Sequence, residues 1–123
     1  MATRAPIRAL RLPADHPLQL VLGLTIWSLW FVVVYAAVSL ACASGHPPVR
    51  GALNLVLGAL SLSAAALLGA AGWRCRQAAC RLGTDPGRRV QRFVAGSAAV
   101  LHAVAAFATV FVALPLAAWP PCL

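Results

Sequence analysis

The chain is 123 residues long, 62% apolar and only 10% charged, with a net charge of +8 at pH 7 and a mean hydropathy of +0.86. A soluble domain holds roughly 45–50% apolar and about 25% charged residues, so a water-soluble fold of this length is excluded. The basic balance does not point to nucleic acid either: all ten arginines fall outside three long apolar runs, and no soluble stretch interleaves them with aromatic rings.

Residues Met1 to Pro17 carry Arg4, Arg8 and Arg11, with Pro6, Pro13 and Pro17 against regular helix and Asp15 as the only acid. An arginine-bearing head before an apolar run resembles a signal peptide, and Ala41-Cys42-Ala43 offers a small-residue cleavage pattern. The apolar run is far longer than the ~7–15 residues of a signal core, so the expectation is an uncleaved first span over Leu18–Cys42. Its 25 residues hold no charge and no proline; at ~1.5 Å per residue they reach roughly 37 Å, against a ~30 Å hydrocarbon core. A lipoprotein reading of Ser39-Leu40-Ala41-Cys42 fails on the serine three residues before the cysteine.

The first connection, Ala43 to Gly51, contains Gly45, Pro47, Pro48 and Gly51 and predicts a sharp turn. A second span follows over Ala52–Trp73 and a third over Phe93–Trp119. Between them a basic connection over 74–92 carries Arg74, Arg76, Arg81, Arg88, Arg89 and Arg92, with Asp85-Pro86-Gly87 as a turn signal. Its first part, RCRQAACR, is expected to prolong the second helix past the headgroups. The expected fold is therefore all-α, an integral membrane three-helix bundle forming one domain over residues 1–123.

With three crossings, nine of the ten arginines share one side and Arg50 stands alone on the other. The positive-inside rule makes the arginine-rich side cytoplasmic, so the N-terminus is expected inside and the C-terminus in the periplasm of a bacterial inner membrane. Trp73 and Trp119 then sit at the two interfaces. Arginines at the cytoplasmic face are also expected to attract anionic lipids, at about 1 kcal/mol each.

Helices in lipid gain little by burying apolar surface against each other, so small and mildly polar residues are expected to line the seams. On the first span Thr25, Ser28, Val32, Tyr35, Ser39 and Cys42 share a face; on the second Asn54, Gly58, Ser61, Ala65 and Gly69 or Gly72; on the third Ala95, Ala98, His102, Ala105 and Thr109. Tyr35 is expected to form an interhelical hydrogen bond near the depth of Ser61, and Asn54 to lie near the outer helix end, where it would help to cap. Trp27, Trp30 and Phe31 lie too deep for interface anchors, and these rings are expected to fill lipid space or dock on another membrane protein.

Cys42 and Cys122 are both expected on the outer side, where disulfides persist. That topology favours a bridge over two unrelated thiols, closing a loop of about 80 residues. Cys75 and Cys80 lie in the cytoplasmic extension, are expected reduced, and have no neighbouring ligands to complete a zinc site. His102 is the only ionisable side chain deep in a span. Its position predicts a place near the midplane, level with Ser28, either hydrogen-bonded to Ser28 or Thr25 or serving as a haem or copper ligand or proton step. No second axial ligand is evident, which favours the structural role.

No span contains Asp, Glu, Lys or Arg, no interrupted helix pair marks a transport site, and no hydrolase, P-loop or Rossmann motif is present. An enzyme is not expected, nor a resident cofactor. The first span LTIWSLWFVVVYAAVSLAC, the second ending GWRC, the third with LHAVAAFATVFVALPL and the closing WPPC together resemble small multi-span bacterial proteins found beside haem–copper terminal oxidase genes. That resemblance, which carries no ligand set, implies an accessory subunit or assembly helper in a respiratory membrane, in contact with the lipid bilayer and with a larger complex such as terminal oxidase subunits. Two alternatives stay open: a haem-handling or thiol-redox protein using His102 or Cys42 and Cys122, and a small oligomeric transporter or channel subunit.

Overall fold

The computed structural model describes Pro13, residues 16–45 and 47–119, and Cys122, with the side chains of 47–50 outside the description. Three long helices carry the described chain: α1 (Leu18–Ser44), α2 (Pro47–Arg81) and α3 (Arg89–Ala118), with a short 3-10 turn at Pro86–Arg88 between the last two. Each is long and apolar enough to cross a membrane, and only 17–28% of the most apolar stretch of each is buried within the protein. The rest of each stretch needs a surrounding apolar medium, so the bundle is a multi-pass membrane structure.

The helix ends follow from local chemistry. α1 stops at Gly45, which takes the left-handed conformation at φ 66° that closes a helix without a Cβ penalty. The two prolines expected to lengthen this connection instead start α2. Proline is accepted in a first helical turn because the amide it lacks would be unbonded there anyway. Consequently Asn54, expected near a cap, lies well inside α2. α2 runs on to Arg81, as its basic sequence suggests, and Asp85 Oδ1 accepts from Gly87 N (3.1 Å) to shape the turn into α3. Near the far end of α3, Pro115 breaks the hydrogen-bond ladder, and Trp119 N–H closes the helix on Pro115 O (3.0 Å).

α2 and α3 form the most extensive pair, an antiparallel hairpin on which α1 leans. α1 and α3 run in step: Gly23 faces His102 at one level and Cys42 meets Cys122 at another, so residues about 80 apart in sequence stay level. One end of the bundle carries the arginines of the α2–α3 hairpin; the other carries the Gly45 turn and the cysteine pair.

The buried faces differ from helix to helix in how well they match expectation. α3 buries Ala95, Ala98, His102, Ala105 and Thr109, the five residues of its small-residue stripe. α2 buries Leu57, Ser61, Ala64, Leu68, Gly72 and Cys75, so Ser61 and Gly72 of the expected face lie inside while Gly58 and Gly69 look onto open space. α1 is turned furthest. Trp30 and Val34 join Leu57 and Ala64 in the core, with Trp27 and Phe31 packed partly against them, while Thr25, Ser28, Tyr35 and Ser39 face outward.

Two effects account for the rotation of α1. Thr25 Oγ1 and Ser39 Oγ donate to the carbonyls of Val21 and Tyr35 one turn back, both at 2.8 Å; satisfied within their own helix, they can face lipid. The indole N–H of Trp30 has no acceptor on its own helix and finds one only across the bundle.

Candidate functional site

Polar side chains meet at three levels of the bundle. At the middle, Trp30 Nε1–H donates to Ser61 Oγ at 3.2 Å, joining α1 to α2 through two buried side chains. Trp30 is thus part of the core and not of an outward docking flank. Trp27 and Phe31 remain half-buried and continue as a ladder of rings, with centroids 5.6 Å apart from Trp27 to Phe31 and 5.3 Å from Phe31 to Tyr35. Tyr35, 64% exposed, lies on the outer edge of that ladder and away from the interhelical position expected for it.

Removing Ser61 Oγ while keeping Trp30 strands a buried donor. Ser61→Ala is expected to destabilise the bundle by about 1 kcal/mol, within the range found for interhelical hydrogen bonds in lipid. Unfolding by detergent titration reads the change, and adding Trp30→Phe, which removes the stranded donor, should recover part of the loss.

At the arginine end lies His102, with no exposed surface. Its Nδ1 is 2.7 Å from Ala98 O one turn back in α3. A carbonyl only accepts, so Nδ1 carries the proton, and in the neutral ring Nε2 is then a bare lone pair. Nε2 is buried and has no hydrogen-bond partner among the described residues. The ring is clasped from both sides: a Cβ at Gly23 of α1 would lie 3.1 Å from Cε1 and Nε2, and one at Gly72 of α2 would lie 3.1 Å from His102 Cβ.

This geometry corrects the expected depth. His102 is level with Gly72, next to Trp73, and with Gly23, not with Ser28, and among the described residues its hydrogen bond is to its own helix. Counting from Phe93 places it too deep because α3 starts at Arg89 and its first turns run beside the basic end of α2, where Arg92 Nη1 donates to Gly83 O (3.0 Å). The same contacts decide the fit of a haem. The distal ring edge abuts the backbone of α1 at Gly23, leaving no room for a macrocycle on Nε2 while the helices stay together. Among the described residues no three His, Cys, Asp or Glu side chains come together to hold a metal ion.

At the opposite end Cys42 and Cys122 stand at disulfide distance, with Cα atoms 5.4 Å apart. Of the other two cysteines, Cys75 is buried and Cys80 is exposed near the α2–α3 turn. The last sequence-singled residues, Asn54 and Thr109, serve packing. Asn54 borders a small void with Leu57 and Ala113, and Thr109 Oγ1 donates to Ala105 O at 2.8 Å. What sequence reasoning missed is the glycine clasp; its signal was Gly23, the only glycine of the first span.

Three long apolar helices with outward apolar faces define a helical multi-pass membrane protein. Comparison with protein-family models, curated proteins and solved structures finds no match.

Proposed function

We propose that this chain is a non-catalytic protein of a bacterial inner membrane, an accessory subunit or assembly helper of a larger respiratory complex of the terminal-oxidase type. One observation carries the reading: Trp30 and Ser61 bond to each other, Thr109 bonds within α3 and His102 is enclosed between Gly23 and Gly72, which leaves lateral surface as what the protein offers. The aromatic edge Trp27–Phe31–Tyr35 on α1 is the docking surface in this reading, with Trp30 removed from it. The link to an oxidase comes from the sequence resemblance. Oxidase subunits should co-purify in mild detergent and be lost on Phe31→Ala with Tyr35→Ala, with circular dichroism showing the three helices still formed. A preparation free of oxidase subunits, or one indifferent to that double change, counts against it.

The N-terminus is cytoplasmic and the C-terminus periplasmic in this proposal. Two features support the orientation: the six arginines of the 74–92 hairpin gather at one end, and the Cys42–Cys122 pair, suited to an oxidising compartment, is at the other. In intact spheroplasts a membrane-impermeant maleimide should label the chain at Cys42 and Cys122 only after reduction, and should not reach Cys80. Labelling of Cys80 from outside reverses the orientation.

A further inference from the structure

The hairpin that joins α2 to α3 is the most strongly charged part of the described chain. Arg74, Arg76, Arg81, Arg88, Arg89 and Arg92 fall within 19 residues with Asp85 as the only acid, and the Asp85 carboxylate is occupied with Gly87 N. The six arginines against one acid leave the segment with a net charge of +5. Such a segment calls for an anion from outside.

A groove of about 710 Å³ runs between the two helices at this level. Its polar end is formed by Arg76, Arg92 and Thr84, and its floor and apolar end by Gly96, Ala99, Val100 and Ala103. The small residues on α3 are what keep it open: a Cβ at Gly96 would touch nothing within 4 Å. Beyond Val100 the same flank of α3 continues as exposed Val104, Phe107 and Phe111, with the two phenyl rings stacked at 6.2 Å. Beside the groove, Arg76 Cζ sits 5.8 Å from the ring centroid of Trp73, which is 59% exposed. An exposed indole under a guanidinium marks the boundary between hydrocarbon and headgroups.

We infer that this groove binds an anionic phospholipid, with the headgroup phosphate held by Arg76 and Arg92 and an acyl chain laid along Gly96, Ala99, Val100 and Ala103 toward Phe107. Arg92 already donates one N–H to Gly83 O, which fixes the guanidinium and leaves further donors for phosphate. A free anion uses only the polar end; a lipid uses both ends, and the apolar continuation is why the lipid is the occupant. The site rests on the membrane placement of the bundle and not on the oxidase reading, so it stands or falls separately from that reading.

The test uses the full chain, purified in mild detergent and challenged with phosphatidylglycerol or phosphatidylcholine, the retained lipid being counted by native mass spectrometry. Phosphatidylglycerol should be retained preferentially, and Arg76→Gln with Arg92→Gln should weaken that retention by on the order of tenfold. Arg74→Gln with Arg88→Gln removes the same charge from positions that do not line the groove and should change retention less than threefold. Gly96→Leu should block retention with the charge intact, and the open space at its Cβ means that the fold survives the change. The Cys80 thiol, on the groove wall, should react more slowly with maleimide when phosphatidylglycerol is present.

Equal losses in the two arginine pairs would reduce the effect to diffuse charge attraction and overturn the site. So would full retention in Gly96→Leu, equal retention of phosphatidylcholine, or displacement by millimolar inorganic phosphate, which would leave an anion site without a lipid. A protein partner lost in Gly96→Leu while phosphatidylglycerol stays bound would assign the groove to that partner instead.

Discussion

A leucine at position 72 is expected to force α2 away from α3 and destabilise the bundle by about 3 kcal/mol, at the upper end of what overpacking costs in a close-packed interior. Even the first added carbon would lie 3.1 Å from His102 Cβ and 3.4 Å from the backbone oxygen of Ala99. Neither neighbour is the tip of a flexible chain, so the helices themselves must shift. A leucine at Gly69, one turn earlier on α2, meets nothing within 4 Å and is expected to be neutral or slightly stabilising, since glycine is a poor helix former. Unfolding by detergent titration compares the two directly; similar midpoints would mean that α2 and α3 do not approach at Gly72 as described.

Gly23 supplies an internal control for the same clasp. There the first carbon of a larger side chain meets the distal atoms of the imidazole, 3.1–3.3 Å away, and no backbone atom is among its three nearest neighbours. Gly23→Leu should therefore be destabilising in the native background but recover when combined with His102→Ala, because the leucine can occupy the volume the ring leaves. Gly72→Leu should gain nothing from His102→Ala, since alanine keeps the offending Cβ. The two glycines thus give opposite coupling to the same histidine in double-mutant cycles. Equal coupling would contradict a ring that lies across one helix and roots against the other.

How much of this was legible in the sequence differs by helix, for physical reasons. The three-span architecture is written in run length, and the α3 stripe from Ala95 to Thr109 was readable because its polar members, His102 and Thr109, bond within their own helix and are also short enough to sit at a close contact. On α1 the same rule picks the wrong face. Thr25 and Ser39 also bond within their helix, but that frees them to face lipid, while Trp30 must turn inward to reach Ser61. In a bilayer, hydrophobicity does not separate inside from outside, so the discriminating feature is which donor lacks a local acceptor. Of the aromatic flank expected to meet a partner, Trp30 lies in the core for that reason. The depth of His102 was misread because a count along one helix carries no information about its register against another.

Replacing Cys42 and Cys122 by serine is expected to release the Gly45 end of α1 from the end of α3 and lower stability by about 2 kcal/mol, the low end of the range for disulfides. For a soluble chain the chain-entropy estimate for a loop of this separation, 80 residues, is ~4–5 kcal/mol. Lipid cuts that figure because the unfolded reference is not a free coil: helices that stay inserted already hold their ends at the membrane face, so the crosslink removes fewer conformations. What remains matters because α1 leans on the hairpin less extensively than α2 and α3 pack together, leaving α1 as the element that parts first. Reduction of the native protein and the double serine variant should give the same loss, read as a shift of the detergent-unfolding midpoint. Trp30 fluorescence should respond before any loss of helical circular dichroism, since α1 separates while all three helices remain formed. Free reactivity of both thiols without reduction, or an unchanged midpoint after it, would show that α1 is held to α3 by the His102 clasp and the Trp30–Ser61 hydrogen bond to α2 without help from the covalent link.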